Sequence, residues 1–232
     1  MNANELEGPL MYGFNSTPGP APAPAPASTL EQLKRQRRRA GESSFFYYDP
    51  HFQFNAVKVL PGEYFVSAES MAIVTVLGSC IAACLWDRNM RIGGMNHFML
   101  PQGDSQEASG RYGSYAMELL INEMLKLGAR RESLQAKIFG GAQVMAHFTT
   151  MNVGERNTAF VTEYLQTERI PIVSQDVLDI YPRKVVFFPD SGKAMLKRLA
   201  HAHPEKLEQQ ELARGSAAVV ARNTAGGSVD LF

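Results

Sequence analysis

The sequence predicts an α+β fold, layered mixed β-sheets flanked by helices, in a single domain with a disordered N-terminal tail. Three observations predict it. Short apolar and β-branched runs bounded by turn residues recur between 57 and 100 and again between 170 and 196. One long stretch, 114–127, carries apolar residues at helical spacing. Strands and helices interleave without a regular βαβ rhythm, which argues against a parallel doubly wound sheet.

Composition bounds the function classes. The chain has 232 residues, with 23 Lys+Arg against 23 Asp+Glu and a net charge of zero. That balance gives no global field toward nucleic acid or a membrane. The length suffices to bury a core without disulfides or metals. The two cysteines, Cys80 and Cys84, exclude a disulfide scaffold. The N-terminus carries Glu5 and Glu7 and does not read as a signal peptide. The most apolar stretch, Met71–Trp86, falls short of the roughly 20 apolar residues of a spanning helix. The expectation is a cytoplasmic protein with no membrane insertion.

Residues 1–44 read as a tail. Pro18, Pro20, Pro22, Pro24 and Pro26 alternate with Gly or Ala, which favours polyproline II. Lys34-Arg35-Gln36-Arg37-Arg38-Arg39 reads as a solvated basic linker rather than a nucleic-acid contact. The ordered domain is expected over 45–199, with a polar helix and flexible tail over 200–232.

Within the domain, Val57–Leu60 and Glu63–Ser67 are predicted strands around Pro61-Gly62, and Ala72–Leu77 is a predicted buried strand. Ile81–Trp86 and Ile92–Leu100 pair around the polar turn Asp87-Arg88-Asn89-Met90. Ser114–Leu127 is the clearest helix, with Ser114 able to cap it and Gly128 able to end it. Ala142–Phe148 and Asn157–Glu168 are shorter predicted helices, the latter capped by Asn157. Ile170–Ser174 is a predicted strand. Lys184–Phe188 and Lys193–Leu196 form a hairpin about Pro189-Asp190-Ser191-Gly192.

The chemistry concentrates at Thr75-Val76-Leu77-Gly78-Ser79-Cys80 and Gly93-Gly94-Met95-Asn96-His97. A Gly-Ser step before Cys80 lets the backbone bend and present N–H groups to an oxyanion. With Arg88-Asn89 as a two-residue loop, paired residues have numbers that sum to 177, and Cys80 then faces His97. Directly opposed side chains share a face at about 4.5–5.5 Å between Cβ atoms. A thiol and an imidazole so placed could share a proton. The competing reading is a Cys that merely packs beside a satisfied His. Cys84 shares the face of Cys80 and is expected to pack; with His97 the two cysteines lack a fourth metal ligand at any standard spacing. Gly140-Gly141 is a weak anion-binding signal.

Taken together, T-V-L-G-S-C at 75–80, G-G-M-N-H-F-M-L-P at 93–101, R-Y-G at 111–113, F-G-G-A at 139–142, N-V-G-E-R-N at 152–157 and P-D-S-G-K at 189–193 resemble the CheD family of bacterial chemoreceptor glutamine deamidases. The resemblance spans roughly residues 55–199 in order. It implies cysteine-dependent hydrolysis of selected receptor Gln side chains to Glu with release of ammonia, with receptor methyl-ester hydrolysis reported for some members. It places the nucleophile on Cys80 and the base on His97. The third catalytic residue is a Thr on the preceding strand, for which Thr75 is the candidate; a register one residue earlier puts Val74 there. Gly78 and Ser79 are the candidate oxyanion-site residues. No metal or cofactor is expected. The implied partners are methyl-accepting chemotaxis receptors and a CheC-type phosphatase, and the alternative role is a non-catalytic adaptor on either. The chain departs from the family at 176–183, where a Gly-Gly pair is expected and Asp-Val-Leu-Asp-Ile-Tyr-Pro-Arg stands.

Overall fold

The computed structural model describes residues 28–100, 112–143 and 153–199. In chain order the elements are α1 (Leu30–Arg35), β1 (Phe45–Asp49), β2 (Phe54–Lys58), β3 (Tyr64–Ser67), β4 (Ala72–Leu77), β5 (Ile81–Asp87) and β6 (Ile92–Asn96). They continue with α2 (Gly113–Lys126), β7 (Leu134–Gly140), α3 (Val153–Thr167), β8 (Ile172–Val177), β9 (Arg183–Phe188) and β10 (Lys193–Arg198). The strands form two five-stranded mixed sheets, ordered β1-β2-β4-β9-β10 and β3-β6-β5-β7-β8. The α+β reading therefore holds.

The two sheets stack face to face. Ile73, Leu77, Val185 and Phe187 of the first meet Phe65, Ala82, Cys84, Met95 and Phe139 of the second. On the far side of the second sheet, Ile81, Ala83, Leu85 and Ile138 bury under Met117, Leu120, Val161 and Leu165 of α2 and α3. The outer face of the first sheet carries Val74, Val186 and Phe188 under Tyr47, Phe52 and Phe54. Central strands are thus covered on both faces, which is why β4 and β5 read as nearly unbroken apolar runs. The site depends on one consequence: the chain crosses from the first sheet to the second between β4 and β5, at Gly78-Ser79-Cys80.

The structure departs from the sequence expectations in several places. Residues 28–44 belong to the fold rather than the tail. Thr29 and Gln32 form a capping box for α1, and Leu33 is buried. Arg38 stacks over the rings of Phe46 and Phe65, at 4.4 and 5.6 Å, while pairing with Glu42 at 2.9 Å. Arg39 pairs with Glu123 of α2. The basic run is therefore partly structural.

The β5–β6 loop has four residues, Arg88–Arg91, not two. Asp87 Oδ1 accepts the N–H groups of Asn89 (2.8 Å) and Met90 (3.1 Å), and Arg91 takes φ 55°. The register sum becomes 179, with Cys84 opposite Met95 and Ile81 opposite Phe98.

Helix α2 begins at Gly113 with Tyr112 as its N-cap and no side-chain cap, so Ser114 does not cap it. Helix α3 starts at Val153, which puts Asn157 inside the helix rather than at its cap. Strand β7 was not anticipated, although Leu134, Ala136 and Ile138 alternate with Gln135 and Lys137. Of the predicted Ala142–Phe148 helix, 144–148 lie outside the described residues, as do 1–27 and 200–232.

In the 176–183 segment, Leu178 and Asp179 both take positive φ, 64° and 68°, the conformation a glycine pair adopts without strain. The buried Arg183 holds this segment, donating to Asp176 Oδ1 (2.5 Å), Tyr181 O (2.9 Å) and Leu178 O (2.6 Å). Burial acts to raise the Asp176 carboxyl, but hydrogen bonds from Arg183 and Arg198 outweigh it and hold the group below its ordinary range.

Gly140 is the tightest backbone contact near Cys80. It takes φ +113°, and a Cβ there would lie 2.1 Å from the Cys80 carbonyl oxygen. Gly140→Ala is expected to destabilise the fold by more than about 2 kcal/mol. Urea unfolding checks this; an unchanged midpoint would contradict the packing.

Candidate active site

Thr75 and His97 meet between the sheets, and Cys80 is buried in the same layer. Thr75 alternates with Ile73 and Leu77, so its side chain points into the inter-sheet layer, whereas Val74 belongs to the outer cluster. Thr75 is fully buried, and its Oγ1 lies 2.9 Å from His97 Nδ1. Of the two candidates for the third position, Thr75 is the one that touches His97.

His97 follows the last residue of β6. Its backbone is held by β3 and the turn before it: His97 N–H donates to Glu63 O at 3.0 Å, and Gly62 N–H donates to His97 O at 2.7 Å. Ile81 and Phe98 exchange both backbone hydrogen bonds, at 3.1 and 3.0 Å. That pairing places Ala82 opposite His97 and Cys80 one diagonal step away. The two-residue correction in register preserves the face, because side chains alternate with period two. Cys80 joins Ala82 and Cys84 in the inter-sheet cluster, on the side where His97 meets Thr75. Diagonal neighbours lie about 7–8 Å apart at Cα and closer at their side-chain ends.

The Thr75 hydroxyl fixes the histidine tautomer. A hydroxyl has one proton, and Thr75 donates it to the Val59 carbonyl at 2.8 Å. Towards His97, Oγ1 can then only accept, so Nδ1 carries the ring proton. His97 Nε2 is left as a bare lone pair, buried and without a hydrogen-bond partner among the described residues. Burial also pushes the imidazole down from 6.5 to about 4, opposed by backbone hydrogen bonding at Val59. At neutral pH the ring is uncharged, with Nε2 available as a base.

The Gly78–Ser79 bend is gripped from outside. Ala142 N–H donates to Gly78 O at 2.8 Å, and Gly141 N–H to Cys80 O at 2.8 Å. Asn157 of α3 donates from Nδ2 to Ser79 O at 3.1 Å and to Met99 O at 2.9 Å. The peptides are trans, so the Ser79 and Cys80 N–H groups point away from Ala142 and Asn157. Gly140-Gly141 accordingly serves close backbone approach to Cys80 rather than an anion. Gly154 continues this packing: a Cβ there would lie 2.2 Å from Gly141 O, so α3 can reach the bend only because that position has none. Asn157 is not the cap that its position suggests; its partners lie 78 and 58 residues away, and no local pattern signals them.

Cys84, opposite Met95, is fully buried among apolar side chains, and burial pushes its thiol well above the usual range. It packs and stays protonated. Among the described residues no three His, Cys, Asp or Glu side chains cluster to hold a metal ion. Among the same residues no helix is long and apolar enough to cross a membrane.

Comparison with known proteins agrees with the motifs. The family model described as CheD chemotactic sensory transduction matches residues 99–198. A protein of Albidiferax ferrireducens named "Probable chemoreceptor glutamine deamidase CheD 1" is 72% identical over 205 residues, covering 88% of this chain and 87% of the relative. The chain belongs to the CheD family. Two further CheD proteins, of Thiobacillus denitrificans and Methylobacillus flagellatus, are 52% and 50% identical, each over 80% of this chain and 94% of the relative. The family match reaches Asn157 and the β9–β10 hairpin. The longer alignments, at 205, 191 and 192 residues, exceed the family model's span at 99–198.

The buried neutral histidine has a pH signature. The unfolded chain takes up a proton near pH 6.5 and the folded chain only near pH 4. Between these values the unfolded state binds more protons, so stability is full above pH 6.5 and falls as pH drops toward 4. The full loss amounts to about 3 kcal/mol. Urea unfolding at the two ends of that window should show this loss in the wild type and a smaller loss in His97→Gln. Equal losses would contradict a buried neutral ring.

Proposed function

We propose that this CheD-family chain is a chemoreceptor glutamine deamidase, a cysteine hydrolase that converts selected receptor Gln side chains to Glu. The observation that carries the reading is the Thr75 Oγ1–His97 Nδ1 hydrogen bond of 2.9 Å, which leaves Nε2 bare on the face shared with Cys80. The names of the relatives support the substrate class.

In this reading His97 Nε2 takes the Cys80 proton, and the thiolate attacks the Gln side-chain carbonyl carbon. The tetrahedral oxyanion is met by the Ser79 and Cys80 N–H groups at the Gly78–Ser79 bend. Protonated His97 then gives its proton to the leaving nitrogen, releasing ammonia and forming a thioester. Water, deprotonated by His97, hydrolyses the thioester to Glu and restores the thiol. Thr75 keeps the ring in the tautomer that both half-reactions need. A low imidazole pKa makes His97 a strong donor to the leaving group once the ring is charged.

Neither Cys80 nor Cys84 forms a disulfide, and a nucleophile that must remain a thiol suits a reducing compartment, so the proposal includes a cytoplasmic location. The competing reading is an adaptor on receptors or on a CheC-type phosphatase.

Two measurements test the proposal. Receptor cytoplasmic fragments incubated with wild type should show Gln-to-Glu conversion by peptide mass spectrometry, abolished in Cys80→Ala and His97→Ala. Folded wild type that converts no Gln on several receptors would favour the adaptor. Thr75→Val should keep KM and lower kcat by about 10–100-fold, since geometry and tautomer are lost while binding is not. Unchanged kcat would remove Thr75 from the mechanism.

A further inference from the structure

Asn157 is fully buried in α3, where an apolar side chain would pack at no polar cost. Both protons of its amide are committed. One bonds Ser79 O at 3.1 Å, the carbonyl immediately before Cys80, and the other bonds Met99 O at 2.9 Å, two residues beyond His97. Both partners are acceptors, which fixes the orientation of the amide: Nδ2 faces them, and Oδ1 is the remaining atom. Oδ1 is buried without a hydrogen-bond partner among the described residues. An unpaired buried acceptor costs stability, so the amide is not accounted for by its contribution to folding alone.

The two carbonyls lie on the two limbs that carry the proposed nucleophile and base. We infer that Asn157 is the positioning residue of the active site: by clamping Ser79 O to Met99 O it sets the Ser79–Cys80 peptide plane and holds Cys80 in register with His97. This inference rests on the catalytic roles proposed above. The peptide plane matters twice. It directs the Cys80 N–H, which lies opposite the clamped carbonyl and serves the oxyanion, and it fixes the Cα from which the thiol projects. The ladder does not supply this constraint. Its regular pairing begins at Cys84 and Met95; nearer the site the limbs are joined by the Ala83 N–H to Asn96 Oδ1 bond at 3.0 Å and the isolated Ile81–Phe98 bridge, and Cys80 and Met99 lie one step beyond that bridge. Asn157 closes that open end from the helix layer.

Asn157→Asp is nearly isosteric and removes the paired donors; Asn157→Ala removes the whole amide. Three readouts apply to each: kcat and KM on a receptor fragment, the rate of Cys80 alkylation by iodoacetamide as a function of pH, and the thermal unfolding midpoint. Both cysteines are buried, and peptide mapping separates alkylation at Cys80 from alkylation at Cys84. A loosened clamp should lower kcat by about 10–100-fold with KM within about threefold. It should also change the rate and pH profile of Cys80 alkylation by more than about twofold, because the thiol no longer meets His97 Nε2 in the same geometry. A folded variant that keeps kcat and the alkylation profile within about twofold of wild type overturns the inference. So does failure of both variants to fold, which would make Asn157 a folding residue. Alkylation requires no receptor, so it reads the clamp even if wild type deamidates none of the fragments, an outcome that instead counts against the functional reading.

Discussion

A single proton on the Thr75 hydroxyl organises the site. Val59, on the segment leaving β2, offers a carbonyl that can only accept, and Thr75 donates to it at 2.8 Å. Everything on the histidine side follows from that commitment: Nδ1 must donate, Nε2 must be bare, and the ring must be neutral to fit a layer with no compensating charge. The constraint works because Thr75 and His97 belong to different sheets. A bond across the inter-sheet layer is held by two rigid ladders, so neither residue can relax without disturbing a core. Burial alone would lower the imidazole pKa; the Thr75–Val59 bond selects which nitrogen is the base.

The nucleophile is placed by a different device. Cys80 stands where the chain leaves one sheet and enters the other, and a crossing point has no ladder of its own to fix it. Neighbouring segments supply the missing hydrogen bonds. Gly141 and Ala142 donate to Cys80 O and Gly78 O at 2.8 Å each, and Asn157 donates to Ser79 O. These contacts need backbone at very short range, which is the physical content of the glycines in F-G-G-A and N-V-G-E-R-N. Motifs scattered from 75 to 157 are thus one packed unit around a three-residue bend.

Much of this was legible in the sequence, for identifiable reasons. Strand β4 was read to its end residues because its run is apolar, β-branched and closed by Gly78-Ser79. The shared face of Cys80 and His97 was read correctly from a wrong register. The loop is longer by two residues, and a shift of two leaves every side chain on its face. The loop is longer because the Asp87 carboxylate organises four residues by bonds that no dipeptide rule anticipates. Asn157 was illegible because Asn before an apolar run is ordinarily a cap, and its partners are remote in sequence. Helix α1 was hidden by a basic run whose Arg38 finds aromatic rings in β1 and β3. Leu178 and Asp179 take the positive φ that glycines adopt without strain, at the place where the resemblance implies a glycine pair.

The central claim is the tautomer of His97, and nitrogen-15 NMR of histidine-labelled protein near pH 7 tests it directly, with His97→Gln providing the assignment. The account predicts one buried neutral ring with Nδ1 protonated and Nε2 unprotonated, and loss of that single-tautomer signature in Thr75→Val. A ring carrying its proton on Nε2, or doubly protonated at that pH, would contradict it.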